Sequence, residues 1–262
     1  MTAKNNAAAK KTAPADIGAT SEKEGMPLFF SNPKVISIDR HAQARLRSGL
    51  TMKFAGQTNS IPLTIADIAE AAKSYPVVFT QAEVPLPVAI VGLESDNYFV
   101  DEQGKWMELN YVPAYARKYP FVFLEMPESD QLTLCVDEDA LVFDEAAEGR
   151  ALYENDEPST FTQTALQFCA QFQEQHRVTK IFCEKLAALD LLTPQRSSVE
   201  LANKRALQLN GFQLIDIEKF RALPKETVLE LHQQDFLALI HYAIQSQSNW
   251  QHLLMLANKR EA

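Results

Sequence analysis

Apolar residues become frequent only after a polar start to the chain, which places the first packed element at about residue 26. Residues 1–25 are rich in Ala, Lys, Thr, Asn and Glu, and Ile17 is their one large aliphatic residue. Such a segment buries too little apolar surface to offset the entropy lost on ordering. We therefore predict a flexible tail over residues 1–25.

Helical and strand patterns alternate from residue 26 to residue 157 and contain a motif that occurs twice. The sequence Tyr75-Pro76-Val77-Val78-Phe79 returns as Tyr119-Pro120-Phe121-Val122-Phe123. Each copy follows an amphipathic helix pattern, which the proline ends because it disfavours α geometry in the residue before it. A second apolar strand pattern follows each copy. These units predict a β-rich α+β region whose sheet is mixed or antiparallel, and the two units could share one sheet. A true duplication and a chance match remain equally open.

The remaining residues, 158–262, read as a mainly helical region packed on the first. Pro158-Ser159-Thr160 can open a long helix to about Leu189, since Ser or Thr caps free amides. A short strand pair is predicted, with residues 198–202 paired to either of two alternatives, residues 207–209 or residues 212–217. An apolar stripe at three-to-four spacing predicts one terminal helix over residues 236–258. The predicted fold class is α+β.

Charge and composition limit the possible partners and the compartment. The formal net charge is −9, which disfavours binding to a phosphate backbone, so we expect no nucleic-acid partner. No apolar run approaches the roughly 18 residues of a membrane span. The lysines near the start are not followed by the apolar block of a secretory signal. Three cysteines without a pairing pattern fit reduced thiols, so the cytoplasm is the expected location.

Familiar catalytic and cofactor signatures are missing from the sequence, and we expect no cofactor. The eight glycines form neither a dinucleotide-binding nor a phosphate-binding loop. Cys169, His176 and Cys183 recur at seven-residue spacing, but seven helical residues span about 10.5 Å. Zinc ligands must lie about 2.0 to 2.3 Å from one ion. We therefore interpret these three residues as a buried helix face.

An acidic stretch between residues 137 and 157 is the candidate metal site. Asp137, Asp139 and Asp156 could gather oxygen ligands for calcium or magnesium. The order of a calcium-binding loop is absent, so a solvated loop leading into a helix is the favoured interpretation.

A tyrosine-rich segment is the candidate binding site. Tyrosines beside cations form a plausible surface for recognising a peptide or protein, although core packing explains aromatic residues equally well. We expect Tyr115, Arg117 and Lys118 to be its exposed members. The candidate binding residues are Tyr111, Tyr115, Arg117, Lys118 and Tyr119.

Motifs spread from Met26 onwards together resemble the bacterial SapC family. They include Met26-Pro27-Leu28-Phe29, Asn59-Ser60-Ile61-Pro62-Leu63, both tyrosine-proline stretches, Leu134-Cys135-Val136-Asp137-Glu138-Asp139, Asn210-Gly211-Phe212 and Ala238-Leu239-Ile240-His241-Tyr242-Ala243. The resemblance implies association with a surface layer and supplies no catalytic residues. A transport permease shares the name, but it is a membrane protein and is not the family meant here.

Two functions follow as hypotheses. The first is a non-enzymatic accessory or binding protein, linked to surface-layer or envelope processes, that recognises a polypeptide partner through residues 111–120. The alternative is an enzyme or enzyme partner of unrecognised class that uses the acidic stretch with a cation.

Overall fold

A computed structural model of the 262-residue chain describes residues 15–16, 26–126, 129–144 and 146–261. It has antiparallel sheets, short helices and a helical C-terminal part, which confirms the α+β class. Of the predicted tail, the described residues are Ala15–Asp16, which form a short strand. The rest of that tail lies outside the described residues, so its flexibility stays a prediction.

The strands are short in the first half of the chain and longest near residue 200. In chain order they are β1 Ala15–Asp16, β2 Pro33–Val35, β3 Ala44–Arg47, β4 Ser60–Pro62, β5 Val77–Thr80, β6 Pro87–Ile90, β7 Phe121–Met126, β8 Ser129–Asp137, β9 Leu141–Phe143, β10 Gly149–Ala151, β11 Tyr153–Glu154, β12 Glu157–Pro158, β13 Leu192–Glu200 and β14 Ala206–Ile215.

The helices are short before residue 159 and longer after it. They are α1 Ile38–His41, α2 Ile65–Ala71, α3 Ala114–Arg117, α4 Thr160–Ala188, α5 Ile217–Arg221, α6 Lys225–Gln233, α7 Phe236–Gln245 and α8 Asn249–Glu261. Within the described residues, 3₁₀ turns cover Met52–Ala55, Glu138–Ala140 and Ser246–Ser248. None of the helices in the described part of the chain is long and apolar enough to cross a membrane.

Among the described residues, six strands form the largest sheet, in the order β1-β14-β5-β6-β4, with β13 also paired to β14. Two three-stranded sheets have the orders β10-β3-β9 and β2-β8-β7, and β11 pairs with β12. The strands pair antiparallel, apart from the parallel contact of β1 with β14. Both tyrosine-proline stretches lead into strands as predicted, but β5 and β7 lie in different sheets, so the two units do not share one.

The predicted strand pair near residue 200 is longer than expected and belongs to the largest sheet. Pro194 lies inside β13, opposite Gln213, where a missing amide hydrogen is tolerated because β13 pairs on the β14 side alone among the described strands. Gly211, at φ +82°, lies opposite the register shift between Gln195 and Ser197. A glycine bulge therefore joins the two predicted alternatives into one strand.

The largest hydrophobic core contains residues from both predicted regions. Ile61, Phe79 and Ile90 of the first half pack in one cluster with Phe182 and Ile240 of the second. A smaller cluster contains Phe121, Val136 and Cys169. Helix α4 contributes to both clusters, so it links the small sheets with the large one.

Candidate functional site

The five residues predicted to bind a partner lie on one short segment around α3. Tyr115 and Arg117 belong to α3, and Lys118 and Tyr119 follow it directly. Arg117 is exposed and Tyr115 is half-buried. Lys118 is 7% exposed, which corrects the expectation that it faces solvent. Its ammonium group lies among aromatic rings instead of in water.

Asp67 of α2 holds this segment in place through hydrogen bonds. Its carboxylate is 1% exposed and accepts hydrogen bonds from the Thr64 amide at 2.8 Å and the Thr64 hydroxyl at 2.7 Å. The same carboxylate accepts from the Tyr111 hydroxyl at 2.5 Å and the Ala114 amide at 2.9 Å. Burial and the Asp67 charge raise the pKa of Tyr111 to about 12. The Tyr111 hydroxyl therefore keeps its proton and continues to donate to Asp67.

Arg117 is exposed but held in one orientation. Its Nε donates to the Val112 carbonyl at 3.0 Å, and its Nη2 donates to the Tyr111 hydroxyl at 3.0 Å. The guanidinium carbon lies 5.6 Å from the ring centroid of Tyr111 and 5.4 Å from that of Phe168. Within the described part of the chain, Arg117 forms no ion pair with a carboxylate. The charge is thus preorganised and available to a partner.

A pocket of about 220 Å³ opens beside Arg117, between α2, α3 and α4. Phe168 and Phe172 of α4 supply apolar surface, while Gln171 and Gln175 of the same helix supply amide groups. Arg117 of α3 also lines the pocket, and its guanidinium packs against the Phe168 ring. A few polar groups converging on an apolar concavity are typical of a ligand site.

Lys118 occupies an aromatic cage next to this pocket. Its Nζ lies 4.2 Å from the ring centroid of Tyr115, 5.0 Å from that of Phe172 and 5.6 Å from that of Phe30. Burial lowers the pKa of Lys118 to about 8, and Cys169 offsets a part of this shift. Among the described residues, Lys118 has no ion-pair partner. The cage therefore holds a buried cation that ring contacts stabilise without a compensating negative charge among these residues.

Tyr119 stacks away from the pocket. Its ring lies 4.1 Å from that of Phe54 and 5.3 Å from that of Phe30. Burial raises the pKa of Tyr119, with further contributions from the charges of Asp137 and Asp139 and a hydrogen bond to Asp137. Tyr119 thus connects the tyrosine-rich segment with the acidic stretch, and its ring acts in packing.

The structure brings Asp137 and Asp139 together, since both carboxylates lie within hydrogen-bonding distance of the Ser31 hydroxyl, but it does not bring Asp156 to them. Asp137 is fully buried and accepts from the amides of Ser31 at 2.8 Å, Asn32 at 3.2 Å and Asp139 at 3.2 Å. Asp156 lies instead in the turn between β11 and β12. Across the described residues, no three His, Cys, Asp or Glu side chains form a group that could hold a metal ion. Asp137 therefore ties β8 to the loop before β2.

The helix face with Cys169, His176 and Cys183 packs inward as predicted. Cys169 and Cys183 are buried, and burial raises their pKa values to about 11 and about 12. Burial, together with the charges of Lys180 and Lys118, lowers the pKa of His176. These thiols are protonated at neutral pH.

Several residues of the pocket were missed in the sequence. Asp67 was visible as an acidic residue in the first turn of a predicted helix, a position that also suits an ordinary helix start. Phe168, Phe172 and Gln175 recur at helical spacing on α4. Periodicity marked this stretch as one face, but it could not show that the face meets α3.

Comparisons with known proteins give one match. The model of the family described as SapC matches residues 36–253, a range that contains every residue of the pocket. Neither the curated proteins nor the solved structures contain a match.

Proposed function

The chain belongs to the SapC family, and we propose that it is a non-enzymatic accessory protein that binds a polypeptide partner at the Arg117 pocket. The observation that carries this proposal is the state of Arg117: it is exposed, fixed by Val112 and Tyr111, and without a carboxylate partner among the described residues. Preorganised arginines beside aromatic rings are typical of residues that dominate protein interfaces.

The environment of the pocket supports a polypeptide as the partner. Phe168 and Phe172 can cover an apolar side chain, and the amides of Gln171 and Gln175 can bond to a peptide backbone. The surface-layer association implied by the family makes an envelope polypeptide the partner class that we propose. The proposed location is the cytoplasm, where the chain would bind an envelope polypeptide before its export; the free and buried state of all three cysteines supports this location.

The alternative, a cation-dependent enzyme, has weaker support. Asp137 is saturated by backbone amides, and Asp139 accepts from the Ser31 hydroxyl at 2.6 Å. Both carboxylates already hold part of the fold together, so we favour the binding role.

Selection from a phage-displayed library of short random peptides tests the proposed function. Wild-type protein should enrich peptides that Arg117→Ala binds about 30-fold or more weakly, which corresponds to about 2 kcal/mol. Arg117→Lys should recover only part of this loss, because lysine lacks the planar fork.

The matched control is Arg221→Ala, which removes an exposed arginine from α5. It should bind like wild type, and far-UV circular dichroism should show that all variants remain folded. Failure of the wild type to enrich any peptide, or equal binding by Arg117→Ala, contradicts the proposed function.

A further inference from the structure

Among the described residues, two cations, Arg117 and Lys118, and one carboxylate, Asp67, lie at or directly behind the Arg117 pocket, although the chain carries a net charge of −9. Arg117 lines the pocket directly. Asp67 also lines the pocket, and its carboxylate already accepts four hydrogen bonds from the protein. Arg117 keeps donors for a ligand, because Val112 and Tyr111 engage its Nε and one Nη2 hydrogen, and a guanidinium has five N–H groups.

Lys118 adds a second, buried charge behind the pocket. The Phe172 ring lines the pocket and also lies 5.0 Å from Lys118 Nζ, so a single ring links the ammonium to the cavity. Charges buried in a protein are screened less than those at the surface. Lys118 is more than nine-tenths buried and lacks an ion-pair partner in the described part of the chain. An anion in the pocket would offset part of the cost of burying it.

We infer that the pocket binds a carboxylate attached to an apolar or aromatic group, with Arg117 as the direct partner and Lys118 as a buried second cation. This inference rests on the proposed function and specifies the chemistry that the site recognises. Arginine can pair with a carboxylate through two parallel hydrogen bonds, while Phe168 and Phe172 cover the apolar group. The carboxylate can come from the C-terminus of a polypeptide or from an Asp or Glu side chain.

Titrations of the full-length protein with three small probes, followed by nuclear magnetic resonance, test this inference. N-acetyl-phenylalanine presents a C-terminal carboxylate, and N-acetyl-phenylalanyl-glutamate amide presents a side-chain carboxylate. N-acetyl-phenylalanyl-glutamine amide presents neither. At least one carboxylate probe should bind about tenfold or more tightly than the glutamine probe, and the one that does so identifies the source.

Two variants separate the contributions of the charges. Lys118→Met should weaken the binding of the carboxylate probe about three- to tenfold, since the buried cation attracts its negative charge. The binding of the uncharged glutamine probe should not change. Lys225→Met, which removes an exposed charge from α6, should change neither. The readout compares two ligands on one protein, so a general loss of folding cannot produce the expected pattern.

Equal binding of all three probes, or no binding of either carboxylate probe, overturns the inference. If peptides from the phage selection still require Arg117 in that case, the proposed function stands and only the carboxylate specificity is lost. If those peptides bind Arg117→Ala equally well, the proposed function itself fails.

Discussion

Lys118 lowers the stability of the fold at neutral pH. Its ammonium group is removed from water, and contacts with Tyr115, Phe172 and Phe30 return only part of the lost hydration. One pKa unit corresponds to about 1.4 kcal/mol, so a pKa lowered from 10.5 to about 8 corresponds to a cost on the order of 3 kcal/mol. A buried charge that destabilises the fold by this much is typical of a functional position.

Replacing Lys118 with methionine should therefore raise the free energy of unfolding at pH 7 by about 1–3 kcal/mol, since methionine keeps the apolar stem without the charge. Between pH 8 and pH 10.5 the unfolded lysine binds more protons than the folded one, so the destabilising contribution of Lys118 decreases through that window. The advantage of Lys118→Met should then shrink. Urea unfolding of both proteins at pH 7 and at about pH 9.5 measures this.

The neighbouring titratable groups leave this comparison clear. Burial raises the pKa of the folded Cys169 thiol to about 11 and lowers that of His176. The unfolded Cys169 thiol does titrate in the window, but it does so in both proteins and largely cancels in their difference. Lys225→Met should alter stability little at either pH. A destabilising Lys118→Met, or a stability difference that is the same at both pH values, contradicts the assignment of Lys118 as a costly buried cation.

At the scale of elements, boundaries set by local chemistry could be predicted and boundaries set by tertiary contacts could not. Helix α4 starts as predicted because the Ser159 hydroxyl accepts from the Thr162 amide at 3.2 Å, an interaction within four residues of sequence. The predicted terminal helix is instead divided into α7 and α8 by the turn Ser246–Ser248. There the buried Ser246 hydroxyl accepts from the Val77 amide of β5 at 2.9 Å.

Removing that hydroxyl should destabilise the protein. Ser246→Ala leaves the buried Val77 amide without its acceptor, which costs about 1–3 kcal/mol. Ser248→Ala is a matched control two residues away, because Ser248 is exposed and its hydroxyl donates to the nearby Gln245 carbonyl at the end of α7. Urea unfolding should show a loss for Ser246→Ala and a change within about 0.5 kcal/mol for Ser248→Ala. If the two substitutions destabilise the protein equally, the contact of Ser246 with β5 does not determine where α7 ends and α8 begins.

At the scale of the whole molecule, the sequence predicts most elements but not their partners. Strand β14 pairs with β5 across more than a hundred residues, so the two predicted regions share one sheet. The pocket has the same origin, because Asp67, Arg117 and Phe172 belong to three helices that are distant in sequence. Arg117 could be proposed from its aromatic neighbours. Asp67 and Phe172 could not, since nothing local distinguishes them from residues of an ordinary helix start and an ordinary apolar face.

Helix α4 should make the chain unfold as one cooperative unit. Its first half places Cys169 in the smaller core, and its second half places Phe182 and Leu186 in the largest core. Trp106 and Trp250 both pack in the largest core, so tryptophan fluorescence reports that core while far-UV circular dichroism reports all elements. In the wild type the two signals should change at the same urea concentration.

A break in the middle of α4 should separate the two cores. Gln173 is exposed between the two halves, and Gln173→Pro removes a helical hydrogen bond at a cost of about 3 kcal/mol, whereas Gln173→Ala keeps the helix intact. We expect circular dichroism of the proline variant to show an additional transition that fluorescence does not follow, while the alanine variant behaves like the wild type. Two transitions in the wild type itself would mean that the cores are independent and that α4 joins them only in space. Coincident signals in all three proteins would mean instead that the shared sheet and the loops couple the cores without a continuous α4.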